Sequence, residues 1–297
     1  MIFDYAIDPG SMSAQSYLRF LYDNIGFENG RLILGLPEMS IWVSEVKENI
    51  STDPQVNRKE MEILLNHLVK QGFSKIIPNI DDRKDWYNNA RDLLMSGKIR
   101  GIISDHDTDF ISPAVLSRVY PEWNVPRDVY IKRSYSEFFS VIAPIVRHAK
   151  RIKIIDPYFD IMEERFYKFL RICSDSASNS WQTNIEVHID HRSCRSYARV
   201  DFEKDWREIR EKEISRRPNV NIQILAWSEM SNGLRIHDRY LVTENGGIRI
   251  PRGTDIVGGS DYADISLLSN TMAVQIYSNY PSNGNSTQLR LISSHRI

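Results

Sequence analysis

The residues with the clearest capacity for chemistry lie between Arg235 and Asp255, in the string RIHDRYLVTENGGIRIPRGTD. His237 and Arg239 alternate along a segment expected to be extended. Period-two geometry then turns both side chains to one face and Asp238 and Tyr240 to the other. The pairing suits phosphorus: an imidazole attacks it or carries a proton, while a guanidinium forks two nonbridging oxygens. Glu244 follows Arg239 after four intervening residues, and Gly258-Gly259-Ser260 comes later. Arg252, in the loop between residues 249 and 255, is placed to add a further contact to an anion. Taken alone, a histidine two residues before an arginine is more often structural than catalytic; its neighbours are what raise its interest.

The elements around that string must bring it to one end of a sheet. Glu244-Asn245-Gly246-Gly247 carries a strong hairpin turn signal, so strands are expected around His237 and Ile248. Upstream, apolar periodicity gives a helix over 134–150 with Pro144 as a kink, a strand over 151–155, a helix over 163–172, a strand over 183–189, a helix over 202–215 and a strand over 221–227. Strands alternating with helices require a sheet that is parallel at least in part and covered by helices. The first of these strands ends at Asp156, where ligands of open α/β sheets bind, although a turn-capping role is equally open. The second ends at Asp190-His191-Arg192, with Arg195 just beyond. Stretches 271–277 and 289–292 are expected to add edge strands.

The first part of the chain reads as a smaller α/β unit, with strands over 3–7, 31–37, 74–78 and 99–104. Its firmest helix starts at an Asn57 cap with Glu60 at the third position and stops at Gly72. A further helix covers 85–95. Asp105-His106-Asp107-Thr108-Asp109 contains three carboxylates and a histidine that in principle suit a divalent ion, but aspartate is favoured in turns and a solvated loop is the preferred reading. Two prolines within Tyr120–Pro126 set the boundary, giving domains over 1–125, of unknown role, and 126–297.

At 297 residues two domains are the natural expectation. The 38 Lys and Arg against 39 Asp and Glu leave a formal charge of −1, which argues against a protein that coats nucleic acid through bulk charge. Cys173 and Cys194 make no metal or disulfide spacing, and neither an export signal nor a membrane-spanning run is seen, so a cytoplasmic setting is expected. No cofactor or metal is called for.

His237-x-Arg239-x4-Glu244 followed by Gly258-Gly-Ser260 resembles a variant of the H-x-K-x4-D signature and later G-S of the phospholipase D superfamily. The string Ile236-His-Asp-Arg239, then a glycine turn, then Ile248-x-x-x-Arg252-Gly-x-Asp255, is similar to the phospholipase D-like C-terminal domain of MIT-domain proteins. The resemblance covers about 130–297. It implies a metal-independent phosphodiesterase in which His237 is nucleophile or acid, Arg239 the phosphate clamp and Glu244 the orienting carboxylate. Asp156, His191, Arg252 and Ser260 would then line the substrate. With one motif copy, the mechanism requires a homodimer that pairs two His237 side chains, or a local substitute such as His191. In the MIT-linked branch the domain is a noncatalytic binder of acidic phospholipid headgroups, and that resemblance implies that the same residues would bind without cutting. Two functions follow: a nuclease-like phosphodiesterase on DNA or RNA, or an inactive module for a phosphate-bearing lipid, nucleic acid or protein. The two-part build also fits a prokaryotic defence effector or sensor working with a separately encoded ATPase.

Overall fold

The computed structural model describes residues 1–51, 57–76, 78–106, 112, 121–198, 201–214 and 217–296. It divides into two compact units, Met1–Arg127 and Asp128–Ile297, and the chain is α/β throughout.

The N-terminal unit runs β1 (Phe3–Ile7), α1 (Gln15–Asn24), β2 (Arg31–Leu34), α2 (Met39–Ser51), α3 (Arg58–His67), α4 (Trp86–Met95), β3 (Gly101–Ile103). β1 lies between β2 and β3 and is parallel to both. Alternation along each strand feeds two cores. Tyr5, Ile7, Ile33 and Ile103 join one with Leu18, Trp42 and Leu65, whereas Ala6, Leu34 and Ile102 join the other with Ala90 and Leu93. The Asn57 cap is present, its side chain accepting the Glu60 amide at 3.2 Å. The strand expected over 74–78 is not formed among the described residues there. Phe73 makes only an isolated bridge to Ile33, and the Ser74 side chain turns the chain by accepting the Ile76 amide.

The C-terminal unit runs β4 (Asp128–Lys132), α5 (Tyr135–Val146), β5 (Arg151–Ile155), α6 (Glu164–Ser176), β6 (Thr183–Asp190), α7 (Phe202–Glu213), β7 (Val220–Glu229), β8 (Tyr240–Thr243), β9 (Gly247–Arg249), β10 (Tyr262–Leu267), α8 (Asn270–Asn279), β11 (Leu289–Arg296). One mixed sheet holds all eight strands in the order β11-β7-β6-β5-β8-β9-β10-β4. β5, β6 and β7 are parallel, with Ile154 opposite Val187 and Val187 opposite Ile224; the remaining neighbours are antiparallel. Pro144 is accommodated inside α5.

The stretch expected as a strand over 271–277 is instead α8. Ser269 caps it by accepting the Met272 amide, and Ala273 and Ile276, three apart, are buried on one face. Beneath α8 the sheet carries a buried polar chain. The Lys153 ammonium donates to the carbonyls of Tyr277 (3.0 Å) and Tyr280 (2.5 Å) and lies 3.8 Å from Glu186. His188 Nε2 is 3.2 Å from Glu186, and His188 Nδ1 accepts the Trp227 indole at 2.9 Å. Among the described residues no helix is long and apolar enough to cross a membrane.

Candidate functional site

Four neighbouring strands end or begin at one edge of the C-terminal sheet. β6, β5 and β9 deliver the segments that follow them, and β8 delivers the residue just before it, because β8 runs antiparallel to β5 and β9. The result is a cleft of about 300 Å³ lined by Asp156, Tyr158, Asp160, Glu163, Arg165, Phe166, Ser193, Arg195, Arg239, Arg252, Gly253 and Asp255.

Arg239 sits on the wall nearest the sheet. Its Nη1 donates to the Pro251 carbonyl at 2.9 Å, its Nε lies 3.7 Å from Asp156, and its guanidinium stands over the Tyr158 ring, 5.0 Å from the centroid. A planar group fixed on one face by an aromatic ring keeps its remaining N–H groups for an oxygen-rich anion.

Asp156 is in the cleft wall but only 1% exposed. One oxygen accepts the Thr254 amide (3.0 Å) and hydroxyl (2.8 Å), and the other accepts the Tyr158 amide at 3.1 Å. Burial pushes its pKa up, and the bonds from Thr254 and Tyr158 and the charge of Arg239 pull it back. Asp156 is therefore a turn cap and an anchor for the loop over 251–255 rather than a group that faces ligand. The far end of that loop is held by Asp255, which pairs with Arg133 and, at 3.5 Å, with Arg165.

Asp160 repeats the device on the other side. It is buried and accepts the Ser196 amide (3.0 Å), the Ser196 hydroxyl (2.5 Å) and the Met162 amide (3.0 Å). Ser193 and Arg195, on the loop after β6, are thereby set in the cleft.

Other residues expected at the site lie elsewhere. β8 begins only at Tyr240, so His237 belongs to the irregular segment before it; its side chain is 66% exposed and is not part of the cleft lining. The neighbours explain this. Ile236 is buried with its amide on Glu229, and Asp238 is tied to Tyr240 (3.0 Å) and Arg249 (3.0 Å), which leaves His237 turned to solvent. Glu244 is at the opposite end of β8, where its carboxylate accepts the amides of Lys150 (2.6 Å) and Arg151 (3.0 Å) and caps the start of β5. It does not orient His237. His191 directs Nδ1 at the Trp227 carbonyl, 3.0 Å away, and does not line the cleft. Ser260 is exposed in the loop before β10, also outside the lining. Arg239, Arg252 and Asp156 are thus brought together, while His237, Glu244, His191 and Ser260 are not.

Sequence reasoning missed Tyr158, Asp160 and Arg165. Asp156-Pro157-Tyr158-Phe159-Asp160 held the available signal: two aspartates four residues apart after a buried strand, each a candidate loop anchor. It also found no site in the N-terminal unit, where a second cleft of about 420 Å³ opens beside Asp8, Leu36, Glu45, Trp86 and Tyr87. Asp8 there accepts from the hydroxyls of Ser11 (2.6 Å), Ser104 (2.8 Å) and Tyr87 (3.2 Å), so its carboxylate joins the ends of β1 and β3 to α4. Of the acidic cluster, Asp105 accepts the Ser112 hydroxyl and His106 stacks on Tyr87, whereas Asp107, Thr108 and Asp109 lie outside the described residues. Among the described residues no group of three or more His, Cys, Asp or Glu is arranged to hold a metal ion.

No family model and no curated protein matches the chain. Among solved structures, the archaeal chromatin protein TrmBL2, whose report describes a novel mode of DNA binding, aligns over 82% of this chain and 87% of its own at 10% identity and a TM-score of 0.30. A likeness of that size assigns neither fold family nor function.

Proposed function

We propose that the C-terminal unit is a phospholipase D-like module that binds a phosphate-bearing partner in the Arg239 cleft without cutting it. The observation that carries this reading is the separation of the two motif residues. Arg239 lines the cleft, braced by Tyr158 and Pro251, while His237 stands outside the lining and 66% exposed. An attacking imidazole must reach phosphorus while a cation neutralises the nonbridging oxygens. Binding requires the cation alone.

The test is equilibrium binding of the whole protein to labelled single- and double-stranded DNA, RNA and acidic liposomes, with Arg239→Ala as control. Removing a charge-assisted hydrogen bond is expected to weaken binding by about tenfold or more. Full binding by Arg239→Ala would refute the site.

One observation favours the metal-independent phosphodiesterase as second reading: His237 is open to solvent, where the same residue of a second copy can approach it. Cutting of DNA or RNA in EDTA, abolished by His237→Ala with the fold intact and accompanied by a homodimer, would establish that enzyme and displace the binding reading.

A further inference from the structure

The cleft presents more guanidinium groups than one phosphodiester needs. Arg165 is occupied by Glu163 (2.6 Å) and Asp255 (3.5 Å), but neither Arg195 nor Arg252 has an ion-pair partner among the described residues, and both are exposed. With Arg239 that makes three guanidinium groups, against the single charge of one phosphodiester. The carboxylates of the wall keep their charge, but their oxygens are taken up by the protein, and Asp156 and Asp160 are only 1% and 4% exposed, so it is the guanidinium groups that face the open cleft. Asp255 is held by Arg133 and Arg165, Asp160 by Ser196, and Asp156 by Thr254, with Arg239 3.7 Å away.

The sheet order spaces these arginines. Arg195 follows β6, Arg239 precedes β8 and Arg252 follows β9, in a row β6-β5-β8-β9. Three strand spacings of about 4.8 Å place β6 and β9 about 14 Å apart. The two outer arginines are therefore carried on opposite sides of Arg239, each on a loop pinned by its own buried aspartate, Asp160 for the first and Asp156 for the second. Ordering a loop costs conformational entropy, and two independent buried anchors offset that cost at both arginines. Between them Tyr158, from the β5 end, is 49% exposed, so it offers ring surface to solvent beside Arg239.

We infer that this cleft takes two neighbouring phosphates joined to a nucleobase, as in adjacent phosphodiesters of a single nucleic-acid strand or the polyphosphate of a nucleotide. Arg195 and Arg252 divide the two phosphates with Arg239, and Tyr158 is the surface on which the base stacks. This rests on the reading of the cleft as a phosphate site and adds to it the number of phosphates, the base and a role for Arg195.

The experiment is fluorescence anisotropy of a labelled oligothymidylate with the full chain in EDTA over a salt series, with ATP, unlabelled oligothymidylates of increasing length and phosphoinositide vesicles as competitors. For a single strand, the slope of log K against log salt falls by about 0.7 for each phosphate that the protein no longer neutralises. Arg195→Ala and Arg252→Ala are each expected to reduce the slope by that amount, a readout that a merely structural residue would not move. Tyr158→Ala is expected to weaken binding about tenfold with the slope kept, and Tyr158→Phe to restore it. Displacement by ATP would support the nucleotide as source, and displacement only by longer oligonucleotides the strand. Unchanged slope and affinity in both arginine variants, with binding abolished in Arg239→Ala, would overturn the inference and leave a single-phosphate site. Arginine-dependent binding to vesicles with none to oligonucleotide or ATP would overturn the base-bearing ligand. Failure of the wild type to bind any of the three would remove the phosphate reading itself.

Discussion

Gly253 shows how closely the cleft is built. Its φ of +98° is one that side chains rarely adopt, and a β-carbon placed there would lie 2.9 Å from Asp255 Oδ1 and 3.7 Å from Arg239 Nε. Gly253→Ala is therefore expected to cost about 1–3 kcal/mol in urea unfolding, through backbone strain at a position the loop cannot relax. It should also weaken anion binding, because the crowded atoms belong to the groups that shape the cleft. A destabilised protein with wild-type affinity would show that the loop and the cleft are independent. Thr254→Val tests the other half of the anchor. It removes the hydroxyl that Asp156 accepts at 2.8 Å and leaves a buried carboxylate one donor short, at an expected cost of about 1–3 kcal/mol. At this scale the string over 235–255 was only partly legible. Arg239 and Arg252 were expected together and do share one cleft, but period-two alternation assumed a strand that starts three residues after His237, and with the strand went the shared face.

Elements were legible where local signals agreed with tertiary packing. The Asn57 cap, the apolar stripe behind it and the alternating strands and helices from α5 to β7 all carry mutually consistent cues. α8 did not, because Thr271, Val274 and Tyr277 favour strands by type. The helix is decided by the Ser269 cap and the burial of Ala273 and Ile276. α8 also covers the Lys153, Glu186 and His188 chain, which makes this layer sensitive to acid. Burial pushes the pKa of His188 down, against the opposing pull of Glu186. For Glu186 burial acts upward, but the bond and charge of His188, with Ser282 and Lys153, hold it below the usual value. Both groups bind fewer protons folded than unfolded: for His188 the contribution is complete above the unfolded value of about 6.5 and is lost as pH falls below it towards the lower folded value, whereas for Glu186 the loss begins only below the unfolded carboxylate value of about 4.3. The urea midpoint of the C-terminal unit is expected to drop between pH 7.5 and 5.5. In His188→Phe that drop should shrink while the midpoint at pH 7.5 falls, since Glu186 and the Trp227 indole each lose a partner at about 1–3 kcal/mol apiece. An unchanged pH dependence in the variant would place the acid sensitivity elsewhere.

Across the whole molecule, the sequence suggested two α/β parts and the hairpin of β8 and β9, but the cleft depends on a pairing that no local pattern contains: β8 lies antiparallel beside β5, although the two are far apart in the chain. Only that pairing brings Arg195, Arg239 and Arg252 to one place. Each unit has its own sheet and, among the described residues, apolar clusters built from its own side chains. Units built this way need not unfold together. Calorimetry is accordingly expected to resolve two transitions, of which one moves with His188→Phe, with acid and with ligand. At a hundred times its dissociation constant a ligand adds about 2.7 kcal/mol to the state it binds. At about 2–4 °C per kcal/mol for a domain of this size, oligonucleotide or ATP should raise that transition by about 5–10 °C and leave the other in place. If ligand moved the transition that His188→Phe leaves alone, the binding site would belong to the N-terminal unit and its Asp8 cleft, and the Arg239 cleft would lose its claim.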